Sequence, residues 1–125
     1  MRALRLLIVE DNATDRAFLR RTIGSRADIV ATIDETDSGT DAINLVCSRR
    51  FDVGIVDYHL VGKTTGAEVL AALANVQPDC RRILITGSPL HGKTLQGAAR
   101  DLGTTVIPKD AHLVSGLRGA LAAFA

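Results

Sequence analysis

Short apolar runs alternate along this chain with stretches in which apolar residues recur at helical spacing. The runs predict five strands, at residues 4–9, 28–33, 51–60, 82–86 and 104–107. The helical stretches cover residues 14–24, 38 onward, 66 to just before Pro78, 95–102, and 113 to the end. Five successive strand–helix units with right-handed crossovers make a parallel sheet between two layers of helices. The chain is therefore predicted to be an α/β three-layer sandwich, with a strand order that the spacing leaves open.

Size and charge restrict the class of protein. With 125 residues, 46% of them hydrophobic, the chain can bury a core, and we expect one domain over residues 1–125 with no output domain. The formal net charge of +1 favours neither nucleic acid nor a membrane surface as a partner. Apolar runs stay far below the roughly 20 residues that cross a membrane, and the start resembles a strand rather than a secretory signal. We therefore expect a cytoplasmic protein.

Several side chains that can bind metals or anions show no pattern of doing so. Cys47 and Cys80 lack ligand spacing and lie in apolar surroundings, so both are predicted to be buried free thiols. His91 and His112 have no acidic or cysteine partner at ligand spacing, so both are predicted to lie at the surface. Arg16, on the first helix, is predicted to face water.

Polar side chains of related chemistry stand at the ends of four predicted strands. They are Glu10 and Asp11 after the first strand, Asp57 at the end of the third, Thr86 at the end of the fourth and Lys109 after the fifth. The carboxyl ends of parallel strands lie at one edge of the sheet, where α/β folds bind ligands, so we expect these side chains to meet. Each acid alone is also a common helix cap. Thr86 alone would be an ordinary strand residue, and Lys109 alone would be an ordinary surface residue. Their coincidence at one edge favours a functional site.

The residue types at this edge predict a Mg²⁺-assisted phosphoryl-transfer site. Clustered carboxylates repel one another and raise one another's pKa, which implies a bound cation. Mg²⁺ prefers oxygen ligands such as carboxylates and a backbone carbonyl. Lys109 supplies a positive charge for phosphoryl oxygens, and Thr86 supplies a hydroxyl donor beside the small Gly87.

These motifs together resemble the receiver domains of two-component response regulators. The resemblance rests on Glu10-Asp11, on DVGIVDYHL with Asp57, on ILITG with Thr86, and on Lys109 after VIP, and it spans the full chain. It implies a flavodoxin-like (βα)5 fold with strand order 2-1-3-4-5. It also implies that Asp57 is phosphorylated, with Thr86 and Lys109 binding the phosphoryl group. The ligands that it implies for Mg²⁺ are Glu10, Asp11, Asp57 and the main-chain carbonyl of His59.

The resemblance further implies a function and its partners. A receiver is a phosphoacceptor module of a two-component system or phosphorelay, which takes its phosphoryl group from a phosphohistidine and then changes its binding to a downstream protein. The donor is a sensor histidine kinase or a histidine phosphotransfer protein. Such a module takes part in its own phosphotransfer and autodephosphorylation but is not an enzyme with a separate substrate. The ring of His59 is expected either to overhang the site and tune phosphoryl loss or to be solvated.

Other functions for the same fold fit the residues less well. A phosphatase of the haloacid-dehalogenase type needs a second Asp two residues after the nucleophile, where this chain has His59. A flavin- or nucleotide-binding domain needs a phosphate-binding loop after the first strand, where Glu10 and Asp11 would repel phosphate. A pseudo-receiver, which binds partners without phosphorylation, stays open as the alternative.

Some positions depart from the usual receiver pattern. Val106 stands where many receivers carry an aromatic ring, so coupling of a ring to the hydroxyl of Thr86 cannot operate here. Lys109 is followed by Asp110 rather than by proline, which predicts a trans peptide bond between them. Pro108 lacks an amide donor, which predicts that the last strand lies at the edge of the sheet. The loop after Val61 looks one residue longer than usual, and residues 88–94 predict a short or displaced fourth helix.

Overall fold

Residues 2–25, 29–87 and 104–122 are described by the structure, a computed structural model. Within them five strands pair in parallel in the order 2-1-3-4-5, which confirms the predicted fold. The strands are β1 (Arg2–Val9), β2 (Ile29–Thr36), β3 (Val53–Asp57), β4 (Arg81–Thr86) and β5 (Thr104–Pro108). The helices are α1 (Ala13–Gly24), α2 (Gly39–Ser48), α3 (Gly66–Val76) and α4 (Leu113–Leu121). The predicted helix at 95–102, the segment 88–94 and His91 fall outside the described residues.

Three helices begin where a polar side chain caps their first free amide groups. Asn12 Oδ1 accepts a hydrogen bond from the amide of Asp15 at 2.9 Å. Ser38 and Thr65 cap α2 and α3 in the same way, each by accepting from the amide three residues on. Such caps stabilise a helix start by about 1 kcal/mol. The cap of α1 comes directly after Glu10 and Asp11, so these two acids stand in the turn between β1 and α1.

Apolar side chains form one cluster on each face of the sheet. One cluster lies under α1 and α4 and includes Leu19, Ile55 and Leu117; the other lies under α2 and α3 and includes Val56 and Leu73. Every residue of β3 is buried, because the strand is central and covered on both faces. The end of β3 is therefore held from both sides, which fixes the position of the last residue of the strand.

The outer strands of the sheet are β5 and β2, and β2 is longer than predicted. β5 lies at one edge, which confirms the prediction made from Pro108. β2 lies at the other edge and runs three residues further than predicted, through Asp34 and Glu35. Both acids pair with arginines, Asp34 with Arg49 at 2.8 Å and Glu35 with Arg20 at 3.1 Å. Acidic side chains thus fit this edge strand because helix arginines neutralise them.

Two predictions of burial were wrong. Cys47 is exposed, because it follows the buried Val46 on α2 and so points away from the sheet; Cys80 is buried, as predicted. Arg16 is half-buried rather than facing water, because its Nη1 donates to the main-chain oxygen of Glu10 at 2.9 Å. His112 is exposed, as predicted. Among the helices of the described ranges, none combines the length and apolar character that a bilayer crossing requires.

Candidate functional site

Asp57 ends the central strand β3, and its side chain is only 4% exposed. The amide of the next residue donates to the main-chain oxygen of Ile85 on β4 at 2.9 Å, which continues the sheet past Asp57. Asp57 Oδ1 accepts a hydrogen bond from the amide of His59 at 3.1 Å. The first residue of α3, Gly66, approaches the Asp57 carbonyl so closely that a Cβ atom at Gly66 would collide with it. The backbone around Asp57 is therefore tightly constrained.

Three carboxylates meet beside the end of β3. One ligand atom from each of Glu10, Asp11 and Asp57 lies within 4.8 Å of the other two. Glu10 is 1% exposed, and its Oε1 accepts from the amide of Asn12 at 3.2 Å. Asp11 is partly exposed, and its Oδ2 accepts from the amide of Val61 at 3.1 Å. The predicted acidic cluster therefore forms, and one of its members also holds the loop that follows β3.

Lys109 brings a positive charge to these carboxylates. Its Nζ lies 2.9 Å from Glu10 Oε2, 3.1 Å from Asp57 Oδ2 and 3.1 Å from Asp15 Oδ2. The amide of Lys109 donates to the main-chain oxygen of Thr86 at 2.8 Å, which holds Lys109 beside the end of β4, directly after β5. The peptide bond to the following residue, Asp110, is trans, as predicted. The lysine predicted for this site therefore reaches Asp57 from the edge strand.

Charge and burial shift the protonation equilibria of this group. Burial raises the pKa of Glu10 to about 7; Lys109 opposes the shift, and Asp57 adds to it. Burial lowers the pKa of Lys109, but attraction to the carboxylates of Glu10, Asp57 and Asp15 outweighs that effect and holds the pKa above its usual value. Among the described residues, three carboxylates thus share the Lys109 ammonium group, and Asp11 adds a fourth carboxylate beside them. The site has an excess of negative charge.

The donor set fits a divalent metal ion. Glu10 Oε2 is buried and, although it lies near Lys109, it accepts no hydrogen bond of good geometry from the described residues. All three clustered donors are carboxylate oxygens, which Mg²⁺ prefers. One such oxygen from each of the three residues lies within 4.8 Å of the other two, so the three are close enough together to share one ion. Glu10, Asp11 and Asp57 can therefore hold the ion that the sequence predicted.

Thr86 and His59 complete the set of predicted residues. Thr86 is the last residue of β4, is 3% exposed, and follows Ile85, the partner of Asp57 across the sheet. It therefore lies at the same edge as the carboxylates, between β3 and β5. The side chain of His59 is exposed, and its ring lies edge-on to the ring of Tyr58 with centroids 4.9 Å apart.

Asp15 belongs to the site and was missed in the sequence. It stands in the first turn of α1, where an acidic residue ordinarily complements the helix dipole. Its contact with Lys109 joins residues 94 positions apart, which no local pattern reveals. Val106, the departure noted in β5, is half-buried and packs against the apolar cluster under α2 and α3. An aliphatic side chain thus fills the place of the usual aromatic ring.

The family model of the response regulator receiver domain matches residues 6–112. A signal receiver domain of a modulated diguanylate cyclase from Desulfovibrio desulfuricans is 26% identical, with a TM-score of 0.79 over 98% of this chain and 93% of that one. A Burkholderia pseudomallei response regulator, solved with a phosphorylated aspartic acid, calcium ion and citrate, is 25% identical, with a TM-score of 0.75 over 92% of this chain and 65% of that one.

A third solved structure supports the fold alone. The response regulator domain of Thermotoga maritima CheB has a TM-score of 0.82 and 20% identity, over 98% of this chain and 96% of that one. No curated protein sequence matched.

Proposed function

The chain belongs to the response regulator receiver domains of two-component signalling, and we propose that Asp57 is its phosphoacceptor, receiving a phosphoryl group from a phosphohistidine in a Mg²⁺-dependent transfer. The donor is a sensor histidine kinase or a histidine phosphotransfer protein. The phosphorylated domain then changes its binding to a downstream protein. In this proposal the domain assists its own phosphorylation and dephosphorylation but turns over no other substrate.

One observation carries the proposal. The Asp57 carboxylate ends a fully buried strand, lies in a cluster with Glu10 and Asp11, and has Lys109 Nζ 3.1 Å from its Oδ2. A carboxylate attacks a phosphoryl group effectively only if the charge on the phosphoryl oxygens is neutralised. This edge of the sheet combines the nucleophile with an ammonium group and with ligands for a cation.

The transfer balances as a single in-line displacement. An Asp57 oxygen forms a bond to phosphorus while the phosphorus–nitrogen bond of the phosphohistidine breaks. The imidazole keeps the electron pair of that bond and takes up a proton. Bound Mg²⁺ would neutralise charge on the phosphoryl oxygens. We assign its ligands to Glu10, Asp11, Asp57 and the main-chain carbonyl of His59.

Lys109 and Thr86 have roles after the transfer. The aspartyl phosphate carries more negative charge than the carboxylate and presents strong acceptor oxygens. The Lys109 ammonium and the Thr86 hydroxyl are the donors assigned to these oxygens. Because both follow neighbouring strands, drawing them toward Asp57 shifts the ends of β4 and β5, which is the change that a partner reads.

A relative supports this assignment. The Burkholderia pseudomallei response regulator, 25% identical to this chain, was solved with a phosphorylated aspartic acid and a calcium ion. We propose that the same two components, a phosphorylated aspartic acid and a divalent cation, come together at Asp57 of this chain.

Incubation with Mg²⁺ and a small phosphodonor such as acetyl phosphate tests the proposal. We expect intact-mass spectrometry to show one added phosphoryl group, stable to acid and labile to base. The adduct should disappear in Asp57→Asn and without Mg²⁺, and it should persist in Asp37→Asn, which removes an exposed acid after β2. A folded protein that binds Mg²⁺ but forms no adduct at saturating donor would instead be a pseudo-receiver.

A further inference from the structure

Lys109 is held by three carboxylates that differ in their access to a metal ion. Glu10 and Asp57 belong to the cluster that can bind the ion, whereas Asp15 does not. We propose that Asp15 is a positioning residue, which keeps a partner for Lys109 when a divalent cation engages Glu10 and Asp57. This inference rests on the Mg²⁺ binding of the proposed function.

The fold fixes the backbone of Asp15 at the mouth of the site. The residue lies in the first turn of α1, and its amide donates to the capping Asn12 Oδ1 at 2.9 Å. Its Oδ2 lies 3.1 Å from Lys109 Nζ. The side chain of Asp15 is 45% exposed, against 1% for Glu10 and 4% for Asp57. Lys109 therefore has two buried partners on one side and one partner toward the solvent.

A cation and the Lys109 ammonium compete for the same carboxylates. Lys109 Nζ contacts Glu10 Oε2 and Asp57 Oδ2, which belong to two of the three residues in the metal-binding cluster. Two positive groups that share carboxylates repel each other, so a cation bound to Glu10 and Asp57 would displace the ammonium at least in part. Asp15 lets the ammonium withdraw while keeping an ion pair. Displacing the ammonium then costs less free energy than it would if Lys109 lost every carboxylate partner.

Withdrawal toward Asp15 also keeps Lys109 available. An ammonium released fully into water would have to be recaptured when a phosphoryl group arrives, whereas one paired with Asp15 stays at the mouth of the site. Asp15 touches neither the metal ligands nor Asp57 in any hydrogen bond of the described residues, so its effect on the site passes through Lys109.

The rival explanation is that the Asp15 carboxylate attracts the cation directly. A double-mutant cycle distinguishes this direct attraction from positioning of Lys109. A carboxylate near the cluster attracts a cation whether or not Lys109 is present. A positioning role instead requires that Asp15→Asn matters only while Lys109 is there to be displaced. The cycle therefore compares Asp15→Asn in wild-type protein and in Lys109→Met.

The measurement is calorimetric titration of each purified variant with MgCl₂ alone. We expect Asp15→Asn to weaken Mg²⁺ binding by about three- to tenfold, the usual size of coupling between contacting residues. In Lys109→Met the same substitution should change the affinity by less than about twofold. Asp15→Glu should restore most of the affinity, and the charge-matched Asp37→Asn should leave it unchanged. If Lys109→Met does not fold, Lys109→Gln replaces it, and thermal melting checks every variant.

Two results would overturn the inference alone. In one, Asp15→Asn binds Mg²⁺ as tightly as the wild type; in the other, it weakens binding equally with and without Lys109. If the wild-type protein itself binds no Mg²⁺, both the metal site of the proposed function and this inference fail. Normal wild-type binding therefore distinguishes the failure of the inference from the failure of the proposed function.

Discussion

The parallel strands begin at the amino edge of the sheet and end at its carboxyl edge, and polar side chains are buried at both. The two edges differ in how these side chains are hydrogen-bonded. At the amino edge, Gln77 is 8% exposed; its Oε1 accepts from the amide of Phe51 at 2.8 Å, and its Nε2 donates to the main-chain oxygen of Val46 at 2.8 Å. At the carboxyl edge, the buried Glu10 and Asp57 share Lys109 with Asp15, and Glu10 Oε2 lacks a hydrogen bond of good geometry from the described residues.

The difference separates a structural polar group from a functional one. A neutral amide paired with backbone groups contributes to stability, because removing it leaves those groups unsatisfied. A surplus of buried carboxylates lowers stability unless another positive charge arrives. The polar groups at the amino edge are paired within the chain, whereas the proposed function requires a cation to balance the carboxylates at the carboxyl edge. Substitutions at the two edges should therefore respond differently to Mg²⁺.

The largest expected effect is at the amino edge. Gln77→Leu leaves the amide of Phe51 and the carbonyl of Val46 without their partner, which should lower the free energy of unfolding by about 3–4 kcal/mol. Urea denaturation measures the loss, and Mg²⁺ should not restore it. Asn75→Leu, an exposed polar-to-leucine change in the last turn of α3 just before Gln77, is the matched control and should stay within about 0.5 kcal/mol. If Mg²⁺ restored the stability of Gln77→Leu, the distinction between the two edges would be contradicted.

Loss of the positive charge at the carboxyl edge should have the next largest effect. Lys109→Met leaves the buried Glu10 and Asp57 without their shared counter-charge, so we expect a loss of about 2–3 kcal/mol in chelator. Saturating Mg²⁺ should restore most of this loss, because the ion takes over the charge. Equal destabilisation with and without Mg²⁺ would show that Lys109 acts by packing rather than by charge.

The raised pKa of Glu10 predicts a pH dependence of the Mg²⁺-free protein. Its pKa is about 7 in the folded chain against an ordinary 4.5, so the folded state holds more protons between these values. Stability should therefore fall as the pH rises through this window, by an amount on the order of 2 kcal/mol. Glu10→Gln should lack this decline, whereas Glu68→Gln, at an exposed position on α3, should keep it. Urea denaturation across the window, in chelator, measures both; an unchanged slope in Glu10→Gln would contradict the assignment.

Much of the fold and of the site could be predicted from the sequence, for physical reasons. The strands β1, β3 and β4 are aliphatic runs buried on both faces, so their pattern is clear. The carboxyl ends of parallel strands meet at one edge, so the sequence alone predicts that Glu10, Asp57 and Lys109 lie close together. The strand order did not follow from spacing and came from the resemblance to receiver domains.

What sequence reasoning missed depends on contacts between distant side chains. Asp15 looks like an ordinary acid in a first helical turn until Lys109 reaches it across 94 positions. Gln77 looks like a solvated residue after a helix, because its partners Phe51 and Val46 lie on other elements. Cys47 was predicted to be buried because an apolar neighbourhood does not reveal which face of a helix a residue occupies.

The most direct test of the account is to locate the phosphoryl group on the chain. Protein treated with acetyl phosphate and Mg²⁺ is reduced with borohydride, which converts an aspartyl phosphate to homoserine, and the peptides are sequenced by mass spectrometry. We expect homoserine at position 57 in the Mg²⁺ sample and none in the sample with chelator. Homoserine at position 11, the reduced five-carbon alcohol at position 10, or Mg²⁺-independent labelling of position 57 would contradict the proposal.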